Sequence, residues 1–200
     1  MKDKVLLPFG KTILQSGSGQ GISEDTSALI EQILNNNNNT NKDVLELGSG
    51  NGIISIMLAY YRPNWKITGI EIQPHLVELS LQNLHTSEVQ ANFLKEDLCT
   101  YKNSSKFDII VSNPPFFPLH KVRISPNREK AIARSEVKCN LEEVLKNLHR
   151  NLRKEGKAYL IYPTLRQKKL EKMCKIVDLK VIERIYIQQM KKIIFILEWK

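Results

Sequence analysis

Val44-Leu45-Glu46-Leu47-Gly48-Ser49-Gly50-Asn51-Gly52 decides how this chain is read. A short apolar run, predicted as a strand over Val44 to Leu47, meets three glycines at alternate positions. Ile53 to Tyr60 then follows as a predicted helix. Missing side chains in such a loop let the backbone approach a bound molecule closely. A second predicted strand, Ile67 to Ile72, carries Glu71, 19 residues after Gly52. A carboxylate at that offset can accept hydrogen bonds from two ribose hydroxyls. A tight strand-to-helix turn with no ligand is the competing reading, and the strand, loop, helix and distal acid together count against it. A second glycine run, Gly17-Ser18-Gly19-Gln20-Gly21, lacks the preceding buried strand.

Outward from the loop, strand and helix patterns alternate. Pro74 to Leu84 reads as a helix, with proline suited to a first helical turn. Ala91 to Leu94 and the apolar Phe107 to Val111 read as strands. Leu141, Val144, Leu145, Leu148 and Leu152 follow helical spacing, with Gly156 just beyond as a stop. Ala158 to Tyr162 is a strand, Leu165 to Val177 a helix, and Lys180 to Gln188 and Ile193 to Trp199 two final strands. This order predicts an α/β fold with a mostly parallel sheet and a closing C-terminal hairpin. Before the loop, Ala28, Leu29, Ile30, Ile33 and Leu34 suggest a helix, and Asn35 to Asn39 an exposed connector. The chain is therefore divided into an N-terminal segment, residues 1–41, and a main domain, residues 42–200.

Composition excludes several classes. With 42% hydrophobic and 26% charged residues the chain is neither wholly disordered nor collagen-like. Apolar runs such as Ile193 to Leu197 are too short to span a bilayer, and the stretch after Met1 is too short for a secretory signal. Cys99, Cys139 and Cys174 lie far apart with no CxxC pair. Neither a disulfide framework nor a bound metal is expected, and a reducing cytoplasm is the natural setting.

Charge divides the chain. Residues 1–116 hold 9 Lys and Arg against 12 Asp and Glu, a net of −3; residues 117–200 hold 21 against 9, a net of +12. A polyanionic partner for the back half and a merely solvated basic surface both fit that balance.

The ligand can be narrowed. Ile53 stands where a GxGxxG pattern has its last glycine, and no lysine of the phosphate-loop kind follows, which weakens the NAD and ATP readings. Glu46, two residues before the first glycine, suits a ligand with a cationic end. Asp97, just past the third of these strands, is placed for an adenine amino group; a turn or cap role competes equally.

The fourth strand ends in Ser112-Asn113-Pro114-Pro115-Phe116-Phe117. Consecutive prolines remove two backbone donors and stiffen the turn. The Asn113 side-chain oxygen and the Pro114 carbonyl can then accept both hydrogens of an exocyclic amine. Phe116 offers a stacking face, worth about 1–3 kcal/mol against a base. An aniline-like amine is already neutral, so it needs alignment and acceptors for developing positive charge more than a strong base. His120 is nearby, but a lone loop histidine is more often incidental.

The motif around Gly48 to Gly52 resembles motif I of class I S-adenosylmethionine-dependent methyltransferases. The resemblance implies a Rossmann-like, mostly parallel seven-stranded sheet with helices on both faces and one antiparallel strand in a C-terminal hairpin. It implies S-adenosylmethionine as cofactor, held by Glu46, Gly48, Ser49, Gly50, Gly52, Glu71, Ile72, Asp97, Leu98 and Asn113. Asn113, Pro114, Pro115 and Phe116 resemble the [D/N/S]-P-P-[Y/F/W] signature of amino-methyltransferases, which act on base amines or protein glutamine. Phe116 replaces the commoner tyrosine.

Two more stretches, Ile22 to Leu29 and Arg123 to Glu136, are similar to the bacterial tRNA1(Val) adenine-N6 methyltransferase group, as is Ile161-Tyr162-Pro163. That likeness implies adenine N6 in tRNA as the target, with Lys121, Arg123, Arg128 and Arg134 facing RNA phosphates. Residues 117–138 carry a net of +4 directly after the proposed base pocket, and residues 166–200 a net of +6. No separate RNA-recognition module is visible, so the catalytic domain's own surface would bind the RNA. A monomer is the default, with no membrane partner. Three alternatives stay open: protein glutamine N5-methylation, a non-catalytic cofactor-binding RNA partner, and, more remotely, a NAD oxidoreductase. The glutamine enzymes usually carry a separate N-terminal substrate domain, for which the roughly 42 residues before the first strand leave little room.

Overall fold

The computed structural model describes residues 2–16, 22–113 and 140–200. Its elements are β1 (Lys2–Leu6), β2 (Thr12–Ser16), α1 (Glu24–Asn35), β3 (Asp43–Leu47), α2 (Ile53–Tyr61), β4 (Lys66–Glu71), α3 (Pro74–Ser87), β5 (Asn92–Lys95), β6 (Phe107–Ser112), α4 (Leu141–Asn151), β7 (Leu152–Pro163), α5 (Gln167–Ile176), β8 (Leu179–Ile187) and β9 (Lys192–Trp199).

Seven strands form one sheet in the order β5-β4-β3-β6-β7-β9-β8. Neighbours from β5 through β7 are parallel. β9 runs antiparallel to both β7 and β8, so the final hairpin closes the sheet by inserting its second strand next to β7. α1, α2 and α3 form one packed group and α4 with α5 another. Helices on both faces explain why the central strands are apolar on both sides: Val44, Leu45 and Leu47 in β3 and Ile110 and Val111 in β6 are all fully buried.

From β3 the chain moves outward through β4 to β5, then crosses back to β6 on the other side of β3. The strand order reverses at β3 and β6, and ligands of open α/β sheets bind in the crevice at that reversal, beyond the carboxyl ends of the strands. Leu47 is level with Ser112 in the ladder. Gly48 and Asn113 therefore leave the sheet side by side, about 4.8 Å apart in strand spacing.

Several local expectations are revised. β1 and β2 form an antiparallel hairpin that the sequence patterns did not announce. Its Leu7 and Ile13 join the same core as Leu29, Ile30 and Ile33 of α1. Phe9, at its tip, stacks on Tyr60 with ring centroids 3.8 Å apart. Gly156 does not stop a helix. α4 ends at Asn151, the chain passes straight into β7, and Gly156 lies within that strand. A Cβ there would stand 2.9 Å from the Asp108 carbonyl oxygen and 3.0 Å from that of Phe107, so close backbone approach explains the glycine. α5 is shorter than its apolar pattern, because Thr164–Arg166 forms a separate 3₁₀ turn. α4 begins with a reciprocal cap: the Asn140 side chain accepts from the Glu143 amide at 3.0 Å, and Glu143 accepts from the Asn140 amide at 2.7 Å.

Candidate active site

The glycine loop is fastened to the end of β4. The Gly48 and Ser49 amides both donate to the Ile70 carbonyl at 2.9 Å. Gly52 starts α2 at φ +82, and a Cβ there would meet Phe93 Cζ at 2.6 Å and Ser80 Cβ at 3.0 Å. Both the backbone conformation and the close approach of Phe93 require glycine. Gly50, at φ +55, differs: a Cβ there would meet no atom of the described residues within 4 Å.

Glu71 ends β4 and is 7% exposed. Its Oε2 accepts from the Gly50 amide at 3.1 Å and its Oε1 from the Gln73 amide at 2.9 Å. The acid and the loop expected to share a ligand are thus in direct contact. Ile72 is half-buried just after it. Leu98 reaches the loop from beyond β5, its Cδ2 lying 3.8 Å from where a Gly48 Cβ would be. Asp97 opens the turn that carries Leu98: its side chain accepts from the Cys99 amide at 2.9 Å, and its carbonyl accepts from the Tyr101 amide at 2.8 Å. The turn-forming use of Asp97 is therefore visible.

Glu46 is 2% exposed. Its Oε2 accepts from the Ser55 amide at 3.0 Å and the Ser55 hydroxyl at 2.5 Å. Since Gly52 has no side chain to cap α2, the carboxyl of Glu46 does so from the strand below, satisfying one of the amides that a helix start leaves unpaired. Burial pushes its pKa up to about 8; the Ser55 hydrogen bonds act against the rise and the charge of Glu71 adds to it.

At the carboxyl end of β6, Asn113 has a buried side-chain oxygen with no hydrogen-bond partner among the described residues. The Ser49 hydroxyl on the glycine loop is buried and likewise without a partner among the described residues. Buried orphans of this kind cost free energy and are normally satisfied by a ligand or water. Pro114, Pro115, Phe116, His120, Lys121, Arg123, Arg128 and Arg134 lie outside the described residues, as does Gly17 to Gly21.

The structure adds one residue whose role the sequence left open. Asp25, in the first turn of α1, is fully buried and forms an ion pair with Lys192 at the start of β9. Lys192 stands opposite Pro163 in the β7–β9 ladder, so this pair sits at the same rim of the sheet as the glycine loop. Burial works to raise the Asp25 pKa, but hydrogen bonds from Lys192 and Ser23 and the Lys192 charge outweigh it and hold the carboxyl below its ordinary value. Asp25 Oδ1 is another buried atom without a hydrogen-bond partner among the described residues. No sequence pattern links residues 167 positions apart, which is why the pair was not legible.

A ligand carrying hydroxyl and ammonium donors fits these acceptors: Glu71 beside the loop, and the orphaned oxygens of Ser49, Asp25 and Asn113. Among the described residues no group of three or more His, Cys, Asp or Glu is placed to hold a metal. Nor is any helix among them long and apolar enough to cross a membrane.

A switch-point crevice with a glycine loop, a strand-end acid and an amide at the next strand end defines a Rossmann-like, adenosyl-ligand-binding domain of the methyltransferase class. The family pattern described as "Methyltransferase small domain" matches residues 18–162, and the chain belongs to that family. Its cofactor is S-adenosylmethionine. A release factor glutamine methyltransferase of Streptococcus pneumoniae is 41% identical over 92 residues, 46% of this chain and 33% of that protein. A tRNA1(Val) (adenine(37)-N6)-methyltransferase of a Flavobacteriaceae bacterium is 30% identical over 146 residues, 72% of this chain and 61% of that protein. The chain thus spans less than two thirds of the length of either relative. The crystal structure of a ribosomal protein L11 methylase from Lactobacillus delbrueckii subsp. bulgaricus superposes with a TM-score of 0.70 at 16% identity, covering 93% of this chain and 83% of the other, a likeness of fold.

Proposed function

We propose that this chain transfers a methyl group from S-adenosylmethionine to an exocyclic amino group, adenine N6 in tRNA. The observation that carries the reading is Asn113: a buried amide oxygen with no partner among the described residues, leaving the sheet beside Gly48 at the strand-order reversal. The cofactor supplies an activated sulfonium methyl. The residues of this chain supply position. Glu71 holds the ribose hydroxyls, with Gly48, Ser49, Gly50, Gly52 and Ile72 lining that side. Asp97 and Leu98 meet the adenine edge, Asp25 favours the cationic end, and Glu46, which burial keeps protonated until about pH 8, supports the loop from beneath by capping α2. Asn113 and the Pro114 carbonyl accept the two hydrogens of the target amine. They aim its lone pair at the methyl and take up the positive charge that develops as the new bond forms. Pro115 stiffens the turn and Phe116 stacks on the base. Lys121, Arg123, Arg128 and Arg134 meet phosphates beside the extruded nucleotide. A cytoplasmic setting, expected from the dispersed cysteines, goes with this reading.

Two features favour RNA over protein glutamine. The tRNA-modifying relative matches over 146 residues against 92, and the half of the chain that follows the site has a net charge of +12. The deciding experiment is labelled-methyl transfer from S-adenosylmethionine into total tRNA, followed by nucleoside mass analysis, with a release factor as the second substrate. N6-methyladenosine is expected. Label appearing only in the release factor would replace this reading with glutamine methylation.

A further inference from the structure

Asn83 lies on the buried face of α3 and is 1% exposed. Its side-chain oxygen accepts from the Leu14 amide of β2 at 2.7 Å. Its Nδ2 donates to the Leu14 carbonyl and to the Asn51 carbonyl of the glycine loop, both at 2.9 Å. A side-chain amide has two hydrogens to give, and both are used. That fixes the way it faces, because turned over its oxygen would stand against two carbonyls. The Asn51 side chain reaches the same Leu14 carbonyl at 3.4 Å.

The hairpin presents Leu14 for this contact. The Leu7 amide donates to the Lys11 carbonyl at 2.7 Å, and alternation along the ladder makes Lys4 and Leu14 a pair with no hydrogen bonds to each other. The polar groups of Leu14 therefore point away from β1, where a third strand would pair, and Asn83 takes that strand's place. Ser80, three residues earlier on the same face of α3, backs the loop: its Cβ is 3.0 Å from where a Gly52 Cβ would be. One helix face thus supports the loop and holds the hairpin.

Asn83 differs from the loop's other fastenings. The bonds from Gly48 and Ser49 to Ile70, and from Gly50 to Glu71, lead into the central sheet. The bond to Asn51 leads to a side chain that is pinned at the same time to an outlying two-stranded hairpin. We infer that Asn83 is a positioning residue for cofactor binding, through which the β1–β2 hairpin and the glycine loop act as one unit. The inference rests on the reading that places S-adenosylmethionine against Gly48 to Gly52. A loop already held in its binding shape surrenders less freedom when the cofactor arrives. Linkage makes the effect mutual: a docked hairpin that favours the cofactor is favoured by it in the same proportion.

The test combines calorimetric titration of S-adenosylmethionine into wild type and Asn83→Ala with residue-resolved amide hydrogen exchange of both, free and saturated. For Asn83→Ala the Kd rises about tenfold, while the fraction of molecules that bind stays that of wild type at a temperature well below Tm. In wild type the cofactor slows exchange at Gly48, Ser49 and Gly50 and also at Leu7 in the hairpin, each at least threefold more than at Phe195 in β9. In Asn83→Ala it slows the loop and leaves Leu7 at the rate of Phe195. A purely structural Asn83 gives the opposite division, a lower Tm and a smaller binding fraction with Kd unchanged, and overturns the proposal. If Asn83→Ala does not fold, wild-type exchange decides: slowing of both loop and Leu7 supports the coupling, and slowing of the loop alone overturns it while the cofactor's placement stands. If S-adenosylmethionine binds wild type without slowing the loop amides, that placement fails and the role of Asn83 with it.

Discussion

The Gly50 amide donates to Glu71 Oε2 at 3.1 Å, joining the crown of the glycine loop to the acid at the end of the neighbouring strand. That bond keeps the carboxylate turned toward the loop, where ribose hydroxyls would compete for the same oxygen. Replacing Glu71 by Ala removes the acceptor for both hydroxyls. A hydrogen bond to a charged group contributes about 1.5–3 kcal/mol, so S-adenosylmethionine affinity should fall at least tenfold. Calorimetric titration measures this. An unchanged affinity would detach Glu71 from the cofactor.

The two glycines of the loop should separate stability from binding. Gly52→Ala drives a methyl group into Phe93 and also demands a left-handed alanine, so it should cost about 2 kcal/mol or more of folding stability. Gly50→Ala meets no atom of the described residues and carries only the backbone cost, about 1–2 kcal/mol. Its methyl, however, projects into the open space above the loop, where the cofactor is expected. Gly52→Ala should therefore lose Tm chiefly, and Gly50→Ala should lose cofactor affinity out of proportion to its Tm. Equal behaviour of the two would mean that the space above Gly50 is not used.

Glu46 makes stability depend on pH. In the unfolded chain its carboxyl loses its proton near 4.5, whereas in the folded protein burial holds the proton until about pH 8. Between those values the folded state binds more protons than the unfolded one, so stability falls as pH rises, by up to about 1.4 kcal/mol per pH unit from this group. Glu46→Gln keeps an acceptor for Ser55 and removes the titration. The Tm of the variant should gain on wild type steadily from pH 5 to pH 8. Parallel curves would show that Glu46 ionises normally.

Much of this fold could be read from the sequence because its central strands are buried on both faces. Val44 to Leu47 and Phe107 to Val111 read as apolar runs, and the glycines between strand and helix mark the site. The hairpin of β1 and β2 could not be read, since its exposed Leu6 and alternating charges carry no clean period. Gly156 misled because a glycine after a helical stretch looks like a stop, whereas its cause is two carbonyls of another strand. Glu46 and Asp97 show a different limit. Spacing placed both at the site, but only the three-dimensional contacts reveal that Glu46 caps α2 and that Asp97 shapes the turn carrying Leu98.

The Asp25–Lys192 pair ties α1 to the closing hairpin and should be costly to break from one side. Lys192→Met strands a carboxylate that is fully buried, at a cost of about 3–5 kcal/mol. Asp25→Asn combined with Lys192→Met removes both charges and should recover much of the loss in Tm. Because the folded-state pKa of Asp25 is lowered, the pair's contribution is complete above the ordinary carboxylate value and disappears as pH falls through the lowered one. The Tm difference between wild type and the double variant should therefore shrink in acid. A single variant as stable as wild type would mean that the pair contributes nothing.

Asn113 offers the sharpest separation of chemistry from binding. If its amide oxygen holds the target amine, Asn113→Ala removes an interaction that strengthens as positive charge develops on the nitrogen. Loss of one such positioned group costs about 10²–10³ in turnover. The contacts proposed for the cofactor come from the loop and from Glu71, whose mutual bond the substitution leaves in place, so S-adenosylmethionine affinity should change by less than about threefold. Asn113→Asp restores an oxygen at the same distance from the backbone and should recover part of the turnover. Single-turnover methyl transfer on tRNA, with cofactor affinity measured in parallel, makes the comparison. Affinity and turnover falling together would place Asn113 with the cofactor and leave the target amine to other acceptors.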